Sequence, residues 1–109
     1  MNLTSLAKDY FNAFKNQDID TLTKMFDESI KLSDWEIKVI DKKNVIEQIR
    51  VIFKSLDEFA LRVIDIKNIG FTVYAEILIT TKDKTKIKVL DKITFNKRNK
   101  IIDITAFKG

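Results

Sequence analysis

A carboxylate in the middle of an otherwise apolar strand face is the first feature of this sequence that could do chemistry. Between Ile87 and Phe95 the residue types alternate, and Asp91 falls in the row that also contains Val89 and Ile93. Burial disfavours the charged form of a carboxylate, so Asp91 is expected to have a raised pKa and to act as a protonated hydrogen-bond donor. Two alternatives fit the same pattern: a buried ion pair with a lysine or arginine, or a β-bulge that turns Asp91 toward water.

Two further polar side chains, Asp34 and Tyr10, are predicted to face the interior together with Asp91. Asp34 continues the apolar alternation that begins at Ile30, and Tyr10 lies on the apolar stripe of an N-terminal helix. A carboxylic acid of raised pKa beside a second carboxylate in one apolar cavity is suited to acid–base catalysis on an uncharged substrate. Asp34 could equally cap a turn beside Trp35, and Tyr10 could be a core residue.

The 109-residue chain lacks several residue types that other catalytic sites need. It contains no cysteine, no histidine, no proline and only two glycines. Without histidine and cysteine there is no Ser-His-Asp or Cys-His nucleophile pair, no zinc site of the usual kind and no disulfide. Two glycines are too few for a phosphate-binding loop or a dinucleotide fingerprint. Any activity is therefore expected to need no metal and no cofactor.

The positive charge of the chain is unlike that of a nucleic-acid-binding surface. The net charge is +4, and arginine occurs only at positions 50, 62 and 98, so lysine supplies most of the positive charge. Base-reading surfaces favour the bidentate arginine fork, and single-strand readers place aromatic residues between basic ones. In the densest basic stretch, residues 82–100, Phe95 falls on the opposite strand face from the lysines. We therefore predict no nucleic-acid partner.

The apolar runs of the chain, such as Ile77 to Ile79, are too short to cross a bilayer, so no membrane partner is expected. Residues 1–20 carry charged side chains in a pattern that does not fit a signal peptide. A cytoplasmic location is the resulting expectation.

Helical periodicity marks three segments in the first half of the chain. Apolar residues recur at three- and four-residue steps from Leu3 to Phe14, after Asp18 and after Asp41, and the two aspartates are good N-caps. The second half alternates with period two and is rich in β-branched residues, which predicts strands. A short strand or strand pair is expected at 30–39, and longer strands at 58–67, 71–82, 85–95 and 100–108.

These elements predict one domain that spans residues 1–109. No linker, repeat or low-complexity tract divides the sequence. Segregated helices followed by a run of antiparallel strands indicate the α+β class, with three N-terminal helices packed on one face of a mainly antiparallel sheet.

The register of the last strand pair decides what surrounds Asp91. If the loop after Phe95 has four residues, Ile93 faces Ile102 and Asp91 faces Ile104. Apolar side chains then enclose the carboxyl group. The expected pocket lining is Phe14, Trp35, Phe53, Val89, Ile93, Ile104 and Ala106.

The opposite, outer face of the last strands is predicted to be apolar as well. Strand alternation assigns to it Tyr74, Leu78, Leu90, Ile101 and Phe107. A monomer would leave this patch in water, and patches of this kind usually mark interfaces. We expect a homodimer that forms through the outer face of the sheet.

Two stretches of the chain resemble the NTF2-like superfamily, which includes nuclear transport factor 2, SnoaL-like polyketide cyclases and ketosteroid isomerases. The first is Tyr10–Asp20 with Met25-Phe26-Asp27, and the second is Val89–Asn96 followed by Lys100-Ile101-Ile102. The resemblance covers nearly the whole chain. It implies a curved sheet that folds as a cone around the helices.

The resemblance to ketosteroid isomerases also implies roles for three residues. Tyr10 matches their helix-one tyrosine, Asp34 their aspartate base and Asp91 their protonated aspartic acid on a late strand. Trp35 departs from the pattern, because the isomerases tend to have proline there. The implied function is a cofactor-free isomerase or cyclase that acts on a small hydrophobic carbonyl compound. Many domains of this fold have no activity, so a non-catalytic ligand-binding or protein-interaction module is the alternative.

Overall fold

The structure, a computed structural model, describes residues 2–109, which form three helices and six strands. The helices are α1 (Leu3–Lys15), α2 (Ile19–Met25) and α3 (Lys42–Leu56). The strands are β1 (Phe26–Ser33), β2 (Lys38–Ile40), β3 (Phe59–Ile69), β4 (Thr72–Thr81), β5 (Lys86–Phe95) and β6 (Ile101–Lys108).

The six strands form one open sheet in the order β2-β1-β6-β5-β4-β3. Every neighbouring pair is antiparallel except β1 and β6, which run parallel. Helix α1 packs against β3 and β4, whereas α3 packs against β1 and β2. The two long helices therefore cover opposite ends of the sheet, with β5 and β6 between them. The predicted α+β class, with three helices on a mostly antiparallel sheet, is confirmed.

Local hydrogen bonds explain where the first two helices begin. The Asn2 side chain accepts hydrogen bonds from the backbone N–H groups of Thr4 and Ser5, and the Asp18 side chain accepts one from Thr21. Each cap satisfies backbone donors that the first helical turn leaves free. The predicted Asp18 cap is confirmed.

Helix α3 begins directly after Asp41, as predicted, but the prediction that the Asp41 side chain caps the helix is wrong. The Asp41 carboxylate makes no capping hydrogen bond to the helix. Its backbone has a φ of 77°, and its N–H donates to the Ile30 carbonyl oxygen at 2.9 Å. The backbone bond to β1 holds Asp41 in a left-handed conformation that differs from the extended conformation of an ordinary N-cap.

The register between β5 and β6 differs from the predicted one by two residues. Asp91 pairs with Ala106, and Ile93 pairs with Ile104. One residue of the shift comes from the loop, which has three residues because the Asn96 N–H donates to the Lys100 carbonyl oxygen. The other comes from a bulge beyond Thr94 in the strand pair.

The bulge also corrects one assignment of the outer face. Ile101 pairs with Phe95 and is fully buried, so it belongs to the core and not to the outer surface. The loop closes at Asn99, whose φ is 62°. Asn99 thus has the left-handed conformation that a three-residue hairpin loop requires at its end.

Asp57, the first residue after α3, has a backbone conformation suited to glycine. Its φ is 60° and its ψ is −112°. Two hydrogen bonds of 2.8 Å hold it there: its N–H donates to the Phe53 carbonyl oxygen, and its own carbonyl oxygen accepts from Gln17 Nε2. A Cβ atom is strained in this region of conformational space, so the contacts around Asp57 must offset that cost.

Replacing Asp57 with glycine is expected to give a more stable protein than replacing it with alanine, by about 1 kcal/mol. Both substitutions remove the side chain and its exposed ion pair with Lys82, but only Asp57→Gly removes the strained Cβ atom. Urea unfolding of the two variants measures the difference directly. Equal unfolding midpoints, or a more stable alanine variant, would contradict the strain at this residue.

Candidate active site

A cavity of about 350 Å³ lies between the sheet and the helices. This volume is within the range of sites that bind small molecules. Helix α1 contributes Tyr10, Phe11 and Phe14, and α3 contributes Gln48, Val51, Ile52, Ser55 and Leu56. The loop between β1 and β2 contributes Asp34, Trp35, Glu36 and Ile37. The sheet contributes Leu32, Leu61, Ile77, Ile79, Ile87, Val89, Asp91, Ile104 and Ala106.

Asp91 is buried on the inner face of β5, as strand alternation predicts, with only 6% of its surface exposed. It pairs with Ala75 of β4 on one side and Ala106 of β6 on the other. Within residues 2–109 its carboxyl group has no ion-pair partner and accepts no hydrogen bond from the protein. The small methyl side chains of the two alanines leave the carboxyl group facing the cavity, which it lines.

Desolvation raises the pKa of Asp91 to about 7. The group therefore holds its proton through mildly acidic pH and is half ionised near neutrality. No described lysine or arginine lies at ion-pair distance to lower this pKa, so the alternative of a buried ion pair is not found.

Tyr10 is buried on α1 and lines the same cavity. Burial and, to a smaller extent, the charge of Asp91 raise its pKa well above the ordinary tyrosine value, so the phenol stays protonated. The ring packs against three phenylalanines, with centroid distances of 5.2 Å to Phe11, 6.0 Å to Phe14 and 6.4 Å to Phe26. These contacts fix the ring, while the hydroxyl finds no hydrogen-bond partner in the described part of the chain.

Asp34 lies one residue beyond β1, half-buried at the edge of the cavity. Its Oδ1 accepts hydrogen bonds from the backbone N–H groups of Glu36 at 2.7 Å and Ile37 at 2.8 Å. Its own N–H donates to the Ile37 carbonyl oxygen at 2.9 Å. Asp34 thus closes the turn beside Trp35, which is the alternative that the sequence left open. Its Oδ2 has no hydrogen-bond partner among residues 2–109.

Trp35 lies at the mouth of the cavity, and 46% of its surface is exposed. The Lys108 Nζ lies 5.7 Å from the centroid of the indole ring, at a distance typical of a cation–π contact. The hydrogen bonds of Asp34 determine the path of the loop that carries this side chain. The loop, the end of β6 and α3 therefore share the outer part of the site.

Two residues of the predicted pocket lie beside the cavity rather than on its wall. Phe53 packs between Phe14, at a ring-centroid distance of 4.9 Å, and Phe59, at 6.2 Å. Ile93 is fully buried in the core. The other predicted lining residues do face the cavity: Phe14, Trp35, Val89, Ile104 and Ala106.

The polar residues that α3 and the loop contribute were not predicted. Gln48 and Ser55 of α3 and Glu36 of the loop line the cavity. Gln48 and Ser55 are seven residues apart, so helical periodicity places them on one face next to the apolar stripe. That spacing is the signal in the sequence from which they could have been found.

The described residues offer no obvious place for a metal ion. Within 2–109, no three acidic side chains cluster in a way that could hold a cation. In the same range, no helix is long and apolar enough to span a membrane.

Solved structures share this architecture over the whole chain. A candidate isomerase of the SnoaL-like family from Agrobacterium tumefaciens has 11% identity and a TM-score of 0.86, with 100% of this chain and 99% of that chain covered. An NTF2-like protein of unknown function from Cytophaga hutchinsonii has 11% identity and a TM-score of 0.83, with coverages of 100% and 91%. The epoxide hydrolase/cyclase-like enzyme SalBIII, which acts in pyran ring formation in the polyether salinomycin, has 16% identity and a TM-score of 0.83, with coverages of 98% and 90%.

Sequence comparison adds no closer relative, since no protein-family model and no curated protein matches the chain. At these low identities the structural similarity establishes the fold. The chain has the NTF2-like fold, in the form found in SnoaL-like and ketosteroid isomerase-like proteins.

Proposed function

We propose that the protein is a cofactor-free isomerase or cyclase that acts on a small hydrophobic carbonyl compound in this cavity. The observation that carries the proposal is the pair of buried proton donors, Tyr10 and Asp91, that face the cavity without a protein partner. Their polar atoms reach the free space of the cavity, since among residues 2–109 every fully enclosed side-chain nitrogen or oxygen has a hydrogen-bond partner. A ligand oxygen that accepts from both groups would satisfy them.

The same two groups can stabilise negative charge that develops on that oxygen. When a proton leaves the carbon next to the carbonyl, the C–H electron pair forms a carbon–carbon double bond. The π electrons of the carbonyl move onto its oxygen, and the product is an enolate. Two preorganised donors in a water-poor cavity lower the energy of this species. Asp34 Oδ2 is the proposed base, since Oδ1 is held by the loop and fixes the orientation of the carboxylate.

The enolate then has two outcomes that need no cofactor. The proton on Asp34 can return to a different carbon, which moves a double bond and completes an isomerisation. Alternatively, the enolate carbon attacks a second carbonyl carbon of the same molecule, which forms a ring and leaves an alkoxide that takes the proton. SalBIII, a structural neighbour named for cyclase-like chemistry, supports a search among ring-forming substrates.

A non-catalytic ligand-binding module is the second candidate function, and the hydrogen bonds of Asp34 favour it. Because Oδ1 accepts from two backbone N–H groups, Asp34 has a structural task in the loop whether or not it acts as a base. In that case Tyr10 and Asp91 would only orient a bound ligand.

Proton exchange at the α-carbon of simple cyclic ketones in heavy water, followed by NMR, tests the chemistry without knowledge of the natural substrate. The wild-type protein is expected to accelerate the exchange. Tyr10→Phe and Asp91→Leu should each slow the catalysed exchange by about 100-fold, because each removes a donor from the developing oxyanion. Asp34→Asn should abolish it, since an amide cannot accept the proton.

Asp20→Asn, on the exposed surface of α2, is the matched control and should exchange at the wild-type rate. Ketone binding without exchange in the wild-type protein would contradict the catalytic proposal and leave the ligand-binding module. Full exchange activity in Asp34→Asn would contradict the role of Asp34 as the base.

The buried carboxyl of Asp91 should make stability depend on pH. Its pKa is about 7 in the folded protein and 3.8 in the reference state. The free energy of unfolding is therefore undiminished by this group below about pH 4 and falls as pH rises to 7, because the unfolded chain loses this proton first. Asp91→Asn carries no titrating group at this position. Relative to the wild type, this variant should gain roughly 4 kcal/mol in free energy of unfolding between about pH 4 and pH 8. Urea unfolding at several pH values, with Glu28→Gln as the exposed control, measures the gain. Parallel stability profiles for wild type and Asp91→Asn would contradict the unpaired burial.

We also propose that two copies of the chain associate through the outer face of the sheet. Leu90 is 41% exposed and Phe107 is 51% exposed, and the two residues pair across β5 and β6. Tyr74 and Leu78 of β4 lie on the same face and are half-buried, while Glu76 between them pairs with Leu90 and forms an ion pair with Lys88. Exposed apolar residues grouped on one sheet face often mark interfaces.

Sedimentation at micromolar concentration is expected to give about twice the 12.7 kDa mass of one chain. Leu90→Arg should shift the protein to the monomer, because a charge in the centre of the interface must be desolvated. Ile64→Arg is the control, since Ile64 has nearly the same exposure, 42%, but lies on the edge strand β3. A monomeric wild-type protein would overturn the proposed interface.

A further inference from the structure

The ionisable residues that line the cavity are all acids or a phenol. Asp34, Glu36 and Asp91 contribute carboxyl groups and Tyr10 a hydroxyl, whereas none of the lysines and arginines of residues 2–109 lines it. The chain carries 20 basic residues and a net charge of +4. The cavity thus has an electrostatic character opposite to that of the protein as a whole, so it disfavours anionic ligands and favours cationic groups.

The acidic groups occupy two different depths. Asp91 is nine-tenths buried, faces the interior and has no partner in the described chain. Asp34 and Glu36 lie at the mouth, on either side of Trp35 in the sequence. The Glu36 side chain is exposed and forms no ion pair within residues 2–109, so its charge is available to a ligand.

Trp35 already has a cation against its ring. The Lys108 Nζ lies 5.7 Å from the ring centroid, and the ring also lines the cavity. An indole ring and a free carboxylate that line the same cavity can both act on an organic ammonium group, because the electron-rich ring face and the carboxylate attract positive charge. The position of the Lys108 ammonium group therefore indicates where a ligand ammonium group would contact the Trp35 ring.

Resting on the proposed function, we infer that the substrate is an apolar carbonyl compound that also carries a protonated amine. The carbonyl oxygen lies between Tyr10 and Asp91, and the ammonium group lies at the mouth against Trp35 and the Glu36 carboxylate. An apolar body fits the walls between these two ends, which are mostly aliphatic and aromatic. Asp34 and Glu36 at the mouth repel a carboxylate or phosphate at the outer end of the ligand, and the Lys108 ammonium there is held against the Trp35 ring.

Three cyclic ketones with one carbon skeleton test this selectivity when they end in an ammonium, a hydroxyl or a carboxylate group. Isothermal titration calorimetry is expected to give about tenfold tighter binding of the ammonium ketone than of the hydroxyl ketone. The carboxylate ketone should bind weakest. Raising the salt concentration should reduce the preference, because the mouth is open to solvent.

Variants at the mouth separate the contributions to this preference. Glu36→Gln and Trp35→Leu should each bring the ratio of ammonium to hydroxyl affinity close to one. Lys108→Gln should raise the affinity for the ammonium ketone severalfold, since it removes the competing cation. Glu28→Gln, an exposed carboxylate of β1 outside the cavity lining, is the matched control and should leave the ratio unchanged.

The outcomes distinguish this inference from the function on which it rests. Equal affinity for the ammonium and hydroxyl ketones, with both weakened by Asp91→Leu, would overturn the inference and leave the proposed function in place. Tightest binding of the carboxylate ketone would overturn the inference as well. If none of the three ketones binds, the proposed function and the inference both fail.

Discussion

The burial of the Asp91 carboxyl group without a cationic partner is the constraint on which the rest of the structure depends. An ionised carboxylate in such a place is costly, and burial therefore raises the pKa of Asp91 to about 7. At lower pH the group is mostly neutral. A neutral acid still has a proton to donate, and no described residue accepts it. The surrounding structure must therefore leave space beside Asp91, and it does so with alanine on both neighbouring strands.

The geometry of the β5–β6 hairpin supplies one of these alanines. The three-residue loop and the bulge beyond it place Ala106, rather than the larger Ile104, directly across from Asp91. The same bulge turns Ile101 into the core. A local feature at the sheet end thus determines both the shape of the cavity and which side chains remain on the outer face.

Sequence periodicity predicted the features that depend on local pattern. The positions of the helices and of β3 to β6 follow from periods of 3.6 and 2, whereas β1 begins at Phe26, before the expected range of 30–39. The inward position of Asp91 follows from alternation along β5. Features that depend on loop geometry or on packing between distant elements could not be predicted in this way. The register opposite Asp91 depends on a loop that is one residue shorter than expected and on a bulge that alternation does not reveal.

Asp34 and Phe53 illustrate two further limits. Alternation along β1 ends at Ser33, and beyond it the side chain of Asp34 bonds to the backbone of its own turn. Such short-range side-chain bonds compete with strand geometry in any segment rich in aspartate and serine. Phe53 lies on the inward stripe of α3, but its neighbours Phe14 and Phe59 come from two other elements. No single-element pattern reveals that these three rings pack together and exclude Phe53 from the cavity wall.

The position of Trp35 has a practical consequence. It is the single tryptophan in the chain, and its ring is half exposed at the cavity mouth. The emission of an indole depends on the polarity and charge of its immediate surroundings, and here those surroundings are the part of the protein that a ligand would enter. The unlabelled protein therefore carries one built-in fluorophore whose spectrum reports on the occupancy of its own cavity, free of background from other tryptophans.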